Sequence, residues 1–197
     1  ALQGRLVRRG DERYEIWRQS MVWQALKPAR GPDLIVQATG TADVAAAVRH
    51  ARAAGLRVAV RSGGHSWCHA SLRDGGMLID LGRLRGLEID VPGRHFVAGP
   101  ALEARELQRR LGEHGLAFPT AHCGSVALGG YLLGGGQAWN GAAWGGRACF
   151  SMTGFEMVTA EGEVIRVSEE SHPELLWAAR GCGPGFSGGS TPLEPQA

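Results

Sequence analysis

A β-branched run, Val58-Ala59-Val60, passes straight into Arg61-Ser62-Gly63-Gly64-His65-Ser66, and this junction constrains the fold more than any other stretch of the chain. Strand-forming residues followed at once by paired glycines place a tight loop at a strand end, where α/β proteins gather their ligands. Such glycines can take positive φ and turn several N–H groups toward one anion. His65 follows directly, within reach of whatever carries that anion. Taken alone, Gly-Gly-His also fits an ordinary turn with a surface histidine.

The neighbouring segments predict a strand-helix-strand unit around this loop. Residues 1–30 read as a helical lead-in centred on Tyr14 to Arg18 and ended by Pro28 and Pro32. Leu34-Ile35-Val36 is a short strand, and Thr41 is placed to cap the next helix, with Asp43 in its first turn. Val44, Val48 and Ala51 share one face of that helix, Gly55 stops it, and residues 57–61 form the following strand. A right-handed crossover then leaves the Arg61 loop at the carboxyl end of its strand. Further along, residues 77–81 and 96–98 read as strands, and residues 102–114 as an amphipathic helix burying Ala104, Leu107 and Leu111. Residues 153–159 and 163–167 read as a hairpin, and Ser171 to Glu174 as a capping box opening a last helix. The Ser, Gly, Pro and Thr of residues 187–197 predict a disordered tail.

Composition excludes several function classes. With 21 basic and 19 acidic residues the net charge is only +2, and no basic stripe with interleaved aromatics is present, so nucleic acid is not an expected partner. The longest apolar run, from Val126 to Gly136, is broken by glycine and shorter than a membrane helix requires, so no membrane partner is expected either. No charged-then-apolar leader opens the chain, which favours a soluble, cytoplasmic protein over a secreted one. Four cysteines without a CxxC spacing make no disulfide framework. His65 and His69 flank Cys68, but Gly63 and Gly64 argue against a zinc-binding helix there and no third ligand is at hand, so no metal is assigned. Trp67, Trp139 and Trp144 fit either the border of a bound ring or packing beside glycines, and packing is the expected role.

Glycine is the outlier, with 31 residues, of which nine lie between Gly124 and Gly146. The segment His122-Cys123-Gly124-Ser125-Val126-Ala127-Leu128-Gly129-Gly130-Tyr131-Leu132-Leu133-Gly134-Gly135-Gly136 alternates glycines with aliphatics. That pattern suits a backbone pressed against an extended ligand on one side and a core on the other. No GxGxxG follows a strand and no Walker pattern occurs, which disfavours a Rossmann or P-loop site. Two glycine-rich loops, one with a histidine and one with a cysteine, point to a ligand bearing a pyrophosphate and an electrophilic ring.

Together with residues 158–165 and 176–181, these loops resemble the FAD-binding domain of the vanillyl-alcohol-oxidase or p-cresol-methylhydroxylase (PCMH) type, within the berberine-bridge-enzyme-like oxidoreductases. The resemblance covers residues 30–186. It implies an α+β (α/β) fold of two subdomains, about 31–98 and 99–186, incomplete at the C-terminus and lacking the family's substrate domain. It implies FAD as cofactor, with Arg61, Ser62, Gly63 and Gly64 wrapping the pyrophosphate, His65 bonded to the ring methyl at position eight, and Ser66 also among the cofactor-binding residues. Cys123 falls where some members carry a second covalent link, at ring position six. Gly124, Ser125, Gly129, Gly130, Gly134 and Gly135 would line the cofactor, and Ile165 would lie near adenine. No catalytic base is assigned, because the family draws it mostly from beyond this segment. The expected lineage chemistry is hydride removal from a small alcohol, sugar or amine with reoxidation by oxygen. The alternatives are a non-catalytic flavin-binding fragment that needs a missing half or partner chain, and a nucleotide-binding module for some other phosphate ligand.

Overall fold

The computed structural model describes residues 2–186 and, for the backbone, residues 189–195. Two sheets organise them. The first carries β1 (Arg5–Arg8), β2 (Leu34–Gln37), β4 (Met77–Asp80) and β3 (Val58–Arg61) in the order β1-β2-β4-β3. β2 and β3 each run parallel to β4, with Leu34 and Val58 both paired to Met77, and α2 (Thr41–Ala53) makes the crossover between them. β4 is buried along its whole length, as a central strand covered on both faces must be. The expected strand-helix-strand unit is therefore present, and β3 ends at Arg61 with the glycine loop beyond it.

The second sheet contains β5 (Leu87–Asp90), β6 (His95–Ala98), β9 (Gly189–Pro195), β7 (Met152–Val158) and β8 (Val164–Ser168), in the order β5-β6-β9-β7-β8. Its apolar face packs on α3 (Ala104–Gly112), α4 (Leu128–Leu133) and α5 (Pro173–Ala179) through Phe96, Leu107, Leu111, Leu128, Leu132, Phe155 and Leu176. Phe96 and Phe118 meet edge to face at the centre, with ring centroids 5.2 Å apart.

Several details differ from the sequence reading. The lead-in of residues 1–30 is more than a helix. β1 pairs antiparallel with β2, and α1 (Tyr14–Ser20) follows it, with Tyr14, Met21 and Val22 buried against Ile35, Leu72 and Leu78. The hairpin β5–β6 belongs to the second sheet, so the change of sheet comes before Leu87 and not at residue 98. The expected disordered tail is a strand over Gly189–Pro195, inserted between β6 and β7; residues 187, 188, 196 and 197 lie outside the described residues. A strand held by ladder bonds on two sides does not depend on a hydrophobic composition, which was the basis of the disorder expectation. The capping box at Ser171 does not form. Ser168 Oγ takes the N–H groups of Glu170 and Ser171, and α5 starts from His172 in the left-handed region (φ 59°) with Pro173 at its first position.

Thr41 is not the cap of α2 either. Gly40 occupies that position, and the Thr41 hydroxyl reaches across to Glu156 on β7 (2.7 Å). Asp43 does the satisfying instead. Its buried carboxylate accepts the N–H groups of Gln3, Gly4 and Thr39 and the Thr39 hydroxyl, at 2.7–3.0 Å. Burial pushes this carboxyl up, yet the converging donors of Gln3, Thr39 and Gly4 outweigh it and leave it below its usual range. Asp43→Ala should destabilise the fold by about 2–4 kcal/mol, since it leaves several part-buried donors without their acceptor at once. The folded-state pKa is the lower one, so this stabilisation is present above about pH 4 and is lost as pH falls through the depressed folded value. Urea unfolding of both proteins at neutral pH and at about pH 3 checks this: the gap between them should narrow in acid.

Candidate functional site

The first loop is built on an ion pair. Arg61, the last residue of β3, directs Nη1 to Oδ1 of Asp80, the last residue of β4, at 2.8 Å. Its Nη2 donates to the Gly63 carbonyl (3.2 Å) and its Nε to the Met21 carbonyl (3.3 Å). The guanidinium expected to meet a pyrophosphate is thus already engaged as a strut inside the loop. What the loop keeps available is backbone: among the described residues, the N–H groups of Gly63, Gly64, His65 and Ser66 donate to no protein acceptor. That is the property an anion cradle requires. Gly64 has φ +70°, and a Cβ there would lie 2.4 Å from the Met21 carbonyl oxygen. Glycine is required at this position on both counts.

The second glycine segment lies against the first. A Cβ on Gly63 would come within 2.7 Å of the Ala127 Cβ, the Gly130 N–H donates to Ser62 Oγ (3.3 Å), and Ser125 Oγ is 3.0 Å from His65 Nε2. The segment is itself anchored, with Leu128 N–H on the Leu102 carbonyl and Gly129 N–H on the Pro100 carbonyl. Gly129 is buried so tightly that a Cβ would lie 2.9 Å from that of Pro100. Gly124 sits beside Arg105, and Cys123 is exposed with its Sγ 3.3 Å from Ser125 Oγ.

His65 is half-buried. Burial lowers its pKa most strongly; the charge of Arg61 also lowers it, while Glu103 and the Ser125 backbone oppose. The net shift is downward, so the ring is neutral at neutral pH, as a nucleophilic nitrogen must be. Cys123 is also shifted downward, first by its hydrogen bond with the Ser125 side chain, then by the Ser125 backbone, with the Arg105 charge adding to them. A lowered thiol favours the reactive thiolate.

The other expected cofactor residues sit further along. Gly134 ends α4, and Gly135 (φ +99°) packs against the Arg147 side chain. Ile165 lies on β8 opposite Met157 and packs on the second core. Ser66 is exposed, with Oγ 3.2 Å from Cys68 Sγ. Ile165 belongs to the second sheet, and Gly134 and Gly135 follow α4, which packs on that sheet, whereas the first loop leaves β3 of the first sheet.

Trp23 is a site residue that sequence reasoning missed. Its indole stacks on the His65 ring, with centroids 4.6 Å apart and planes at 23°, and the Trp23 backbone N–H donates to the Gly64 carbonyl (3.0 Å). No motif marks it, because it lies in the lead-in far from the glycine loops. The tryptophans expected to pack do not: Trp67 is 79% exposed and Trp139 81%, Trp67 edging Trp23 and Trp139 edging His122. Their glycine neighbours offer no apolar surface to bury them against. His69 turns to Gln24, and among the described residues no three His, Cys, Asp or Glu side chains gather as a metal site. Among the same residues, no helix is long and apolar enough to cross a membrane.

Comparison with known proteins matches residues 32–168 to the family described as "FAD binding domain". The chain belongs to this FAD-binding domain family. Its curated relatives include the FAD-linked oxidoreductase janO of Penicillium janthinellum, 37% identical over 88% of this chain and 38% of the relative. Another is (R)-6-hydroxynicotine oxidase of Paenarthrobacter nicotinovorans, 33% identical over 94% of this chain and 40% of the relative. Among solved structures, 6-hydroxy-D-nicotine oxidase from Arthrobacter nicotinovorans superposes over 100% of this chain and 42% of its own, with a TM-score of 0.91 and 33% identity. The Physcomitrella patens BBE-like 1 protein superposes over 98% and 42%, with a TM-score of 0.90 and 25% identity. This FAD-binding domain therefore has the PCMH-type fold of the berberine-bridge-enzyme-like, FAD-linked oxidoreductases, and it spans about two-fifths of the length of the relatives it matches.

Proposed function

We propose that this FAD-binding domain holds its flavin covalently through His65, with Cys123 placed for a second link, and serves an oxidoreductase that removes hydride from a small alcohol, sugar or amine and returns electrons to oxygen. The observation that carries the reading is the convergence of a neutral imidazole, a hydroxyl and an activated thiol at one point where two glycine loops touch. The residues fit the group. Gly63 to Ser66 offer free N–H groups to a pyrophosphate, Gly63 and Gly129 keep the loops close enough to flank a thin ligand, and His65 stands at the edge of that seam. Bound FAD supplies the two-electron acceptor; the chain's own groups bind it, orient it and keep His65 unprotonated. The substrate class is supported by the relatives, which include oxidases named for 6-hydroxynicotine and for chitooligosaccharide.

A second reading, in which the chain binds flavin but needs another chain to work on a substrate, is favoured by the exposed indoles of Trp67 and Trp139 beside the site. Purification in the presence of FAD, followed by acid precipitation, tests the first part of the proposal. A washed pellet that stays yellow and fluorescent is expected, and flavin recovered wholly in the supernatant rules out the tether. FAD should also bind far more tightly than ADP. Equal affinities would point instead to a site that ignores the ring.

A further inference from the structure

The Ser125 hydroxyl is shared by side chains from both loops, lying 3.0 Å from His65 Nε2 and 3.3 Å from Cys123 Sγ. A hydroxyl has one proton to donate and lone pairs with which to accept. Two arrangements satisfy both neighbours. In one, Nε2–H donates to Oγ and Oγ–H donates to sulfur. In the other, the thiol donates to Oγ and Oγ–H donates to Nε2. Only the first leaves Nδ1 with its lone pair free and the sulfur deprotonated.

The surroundings favour the first. The sulfur is exposed, lies beside the Ser125 N–H and faces Arg105 of α3, and these stabilise a negative charge there. The His65 ring is held in plane by the stacked Trp23 and sees Arg61 of β3 and Glu103, the residue before α3. His122, the remaining titratable neighbour in sequence, turns its ring to Trp139.

We propose that Ser125 is a positioning residue for both nucleophiles: its hydroxyl accepts the Nε2–H of His65, exposing the Nδ1 lone pair, and donates to Cys123 Sγ, holding it as thiolate. The thiol proton passes to solvent and no electrons move. The use of these nucleophiles rests on the flavin reading above, but their protonation states can be measured without any cofactor.

The test uses the cofactor-free chain carrying Cys68→Ser and Cys182→Ser, so that Cys123 is the exposed thiol that reacts with iodoacetamide; Cys149 is buried. Ser125→Ala should move the inflection of alkylation rate against pH upward and slow the reaction severalfold at neutral pH, and Ser125→Thr should restore both. Arg105→Gln should give the smaller shift. An inflection unmoved by Ser125→Ala overturns the proposal. Nitrogen-15 NMR of labelled histidine provides a second readout. His65 should populate the Nε2–H tautomer in the parent and redistribute in Ser125→Ala, whereas a dominant Nδ1–H tautomer in the parent overturns the proposal. If both shifts appear in a chain that takes up no FAD, the positioning role stands and the flavin reading falls.

Discussion

Replacing His65 by Ala is expected to abolish acid-stable flavin attachment, leaving any FAD bound but extractable. The imidazole is the neutral nitrogen nucleophile at the seam between the loops, and alanine at this position offers nothing that can form the bond. The fold should survive the change, because His65 is half-buried on a loop and its ring stacks on a half-exposed Trp23. Acid precipitation separates the outcomes: a colourless pellet with yellow supernatant is expected. A pellet that remains yellow would assign the tether to Cys123, and the double variant with Cys123→Ala would then clear it.

The same residue predicts a pH dependence. Attachment requires the neutral ring, and burial lowers the folded pKa beneath the ordinary histidine value of about 6.5. The attachment rate should therefore rise with pH and reach half its maximum below the value of a free histidine. Linkage gives the same sign for stability. The unfolded chain binds the proton more readily, so His65 contributes stability that is present above the unfolded pKa and lost as pH falls through the folded one. A half-maximal rate at or above the free-histidine value would show that the ring is not desolvated.

How much of this was legible in the sequence depended on where the information lies. The β2-α2-β3 unit could be read because periodicity, a stop glycine and a β-branched run all agree over one short stretch. The contact between the two loops was legible only as a resemblance, since the pairings 62 with 130, 63 with 127 and 65 with 125 are set by tertiary packing. α4 contains Gly129 and Gly130, which local propensity places outside a helix; anchoring of Leu128 and Gly129 to residues 100–102 overrides it. β5 alternates Leu87, Glu88, Ile89 and Asp90 and did carry a period-two signal, but nothing local states which sheet it joins. Trp23 was invisible for the same reason: its ring meets His65 because its backbone N–H is held by the Gly64 carbonyl, a partner fixed by the path of the lead-in.

The second large effect concerns the strut beneath the loop. Asp80→Ala should cost about 3–5 kcal/mol, because it removes one partner of a buried pair and leaves the other charge uncompensated. Asp80 is 1% exposed and holds Arg61 Nη1, the Gly82 N–H and Gln37 Nε2 at 2.8–3.1 Å, while the Arg61 side chain is only 15% exposed. Domain stabilities are about 5–15 kcal/mol in total, so this loss should be visible as a large drop in the urea midpoint followed by circular dichroism. The double variant Arg61→Met with Asp80→Leu distinguishes the two duties of the pair. Removing both charges should restore most of the stability, since an apolar pair of similar size avoids the desolvation penalty. It cannot restore the guanidinium's bonds to the Gly63 and Met21 carbonyls, which set the path of the loop. A stable double variant that binds FAD weakly would assign the ion pair to loop geometry, whereas full recovery of both properties would make it a folding element alone.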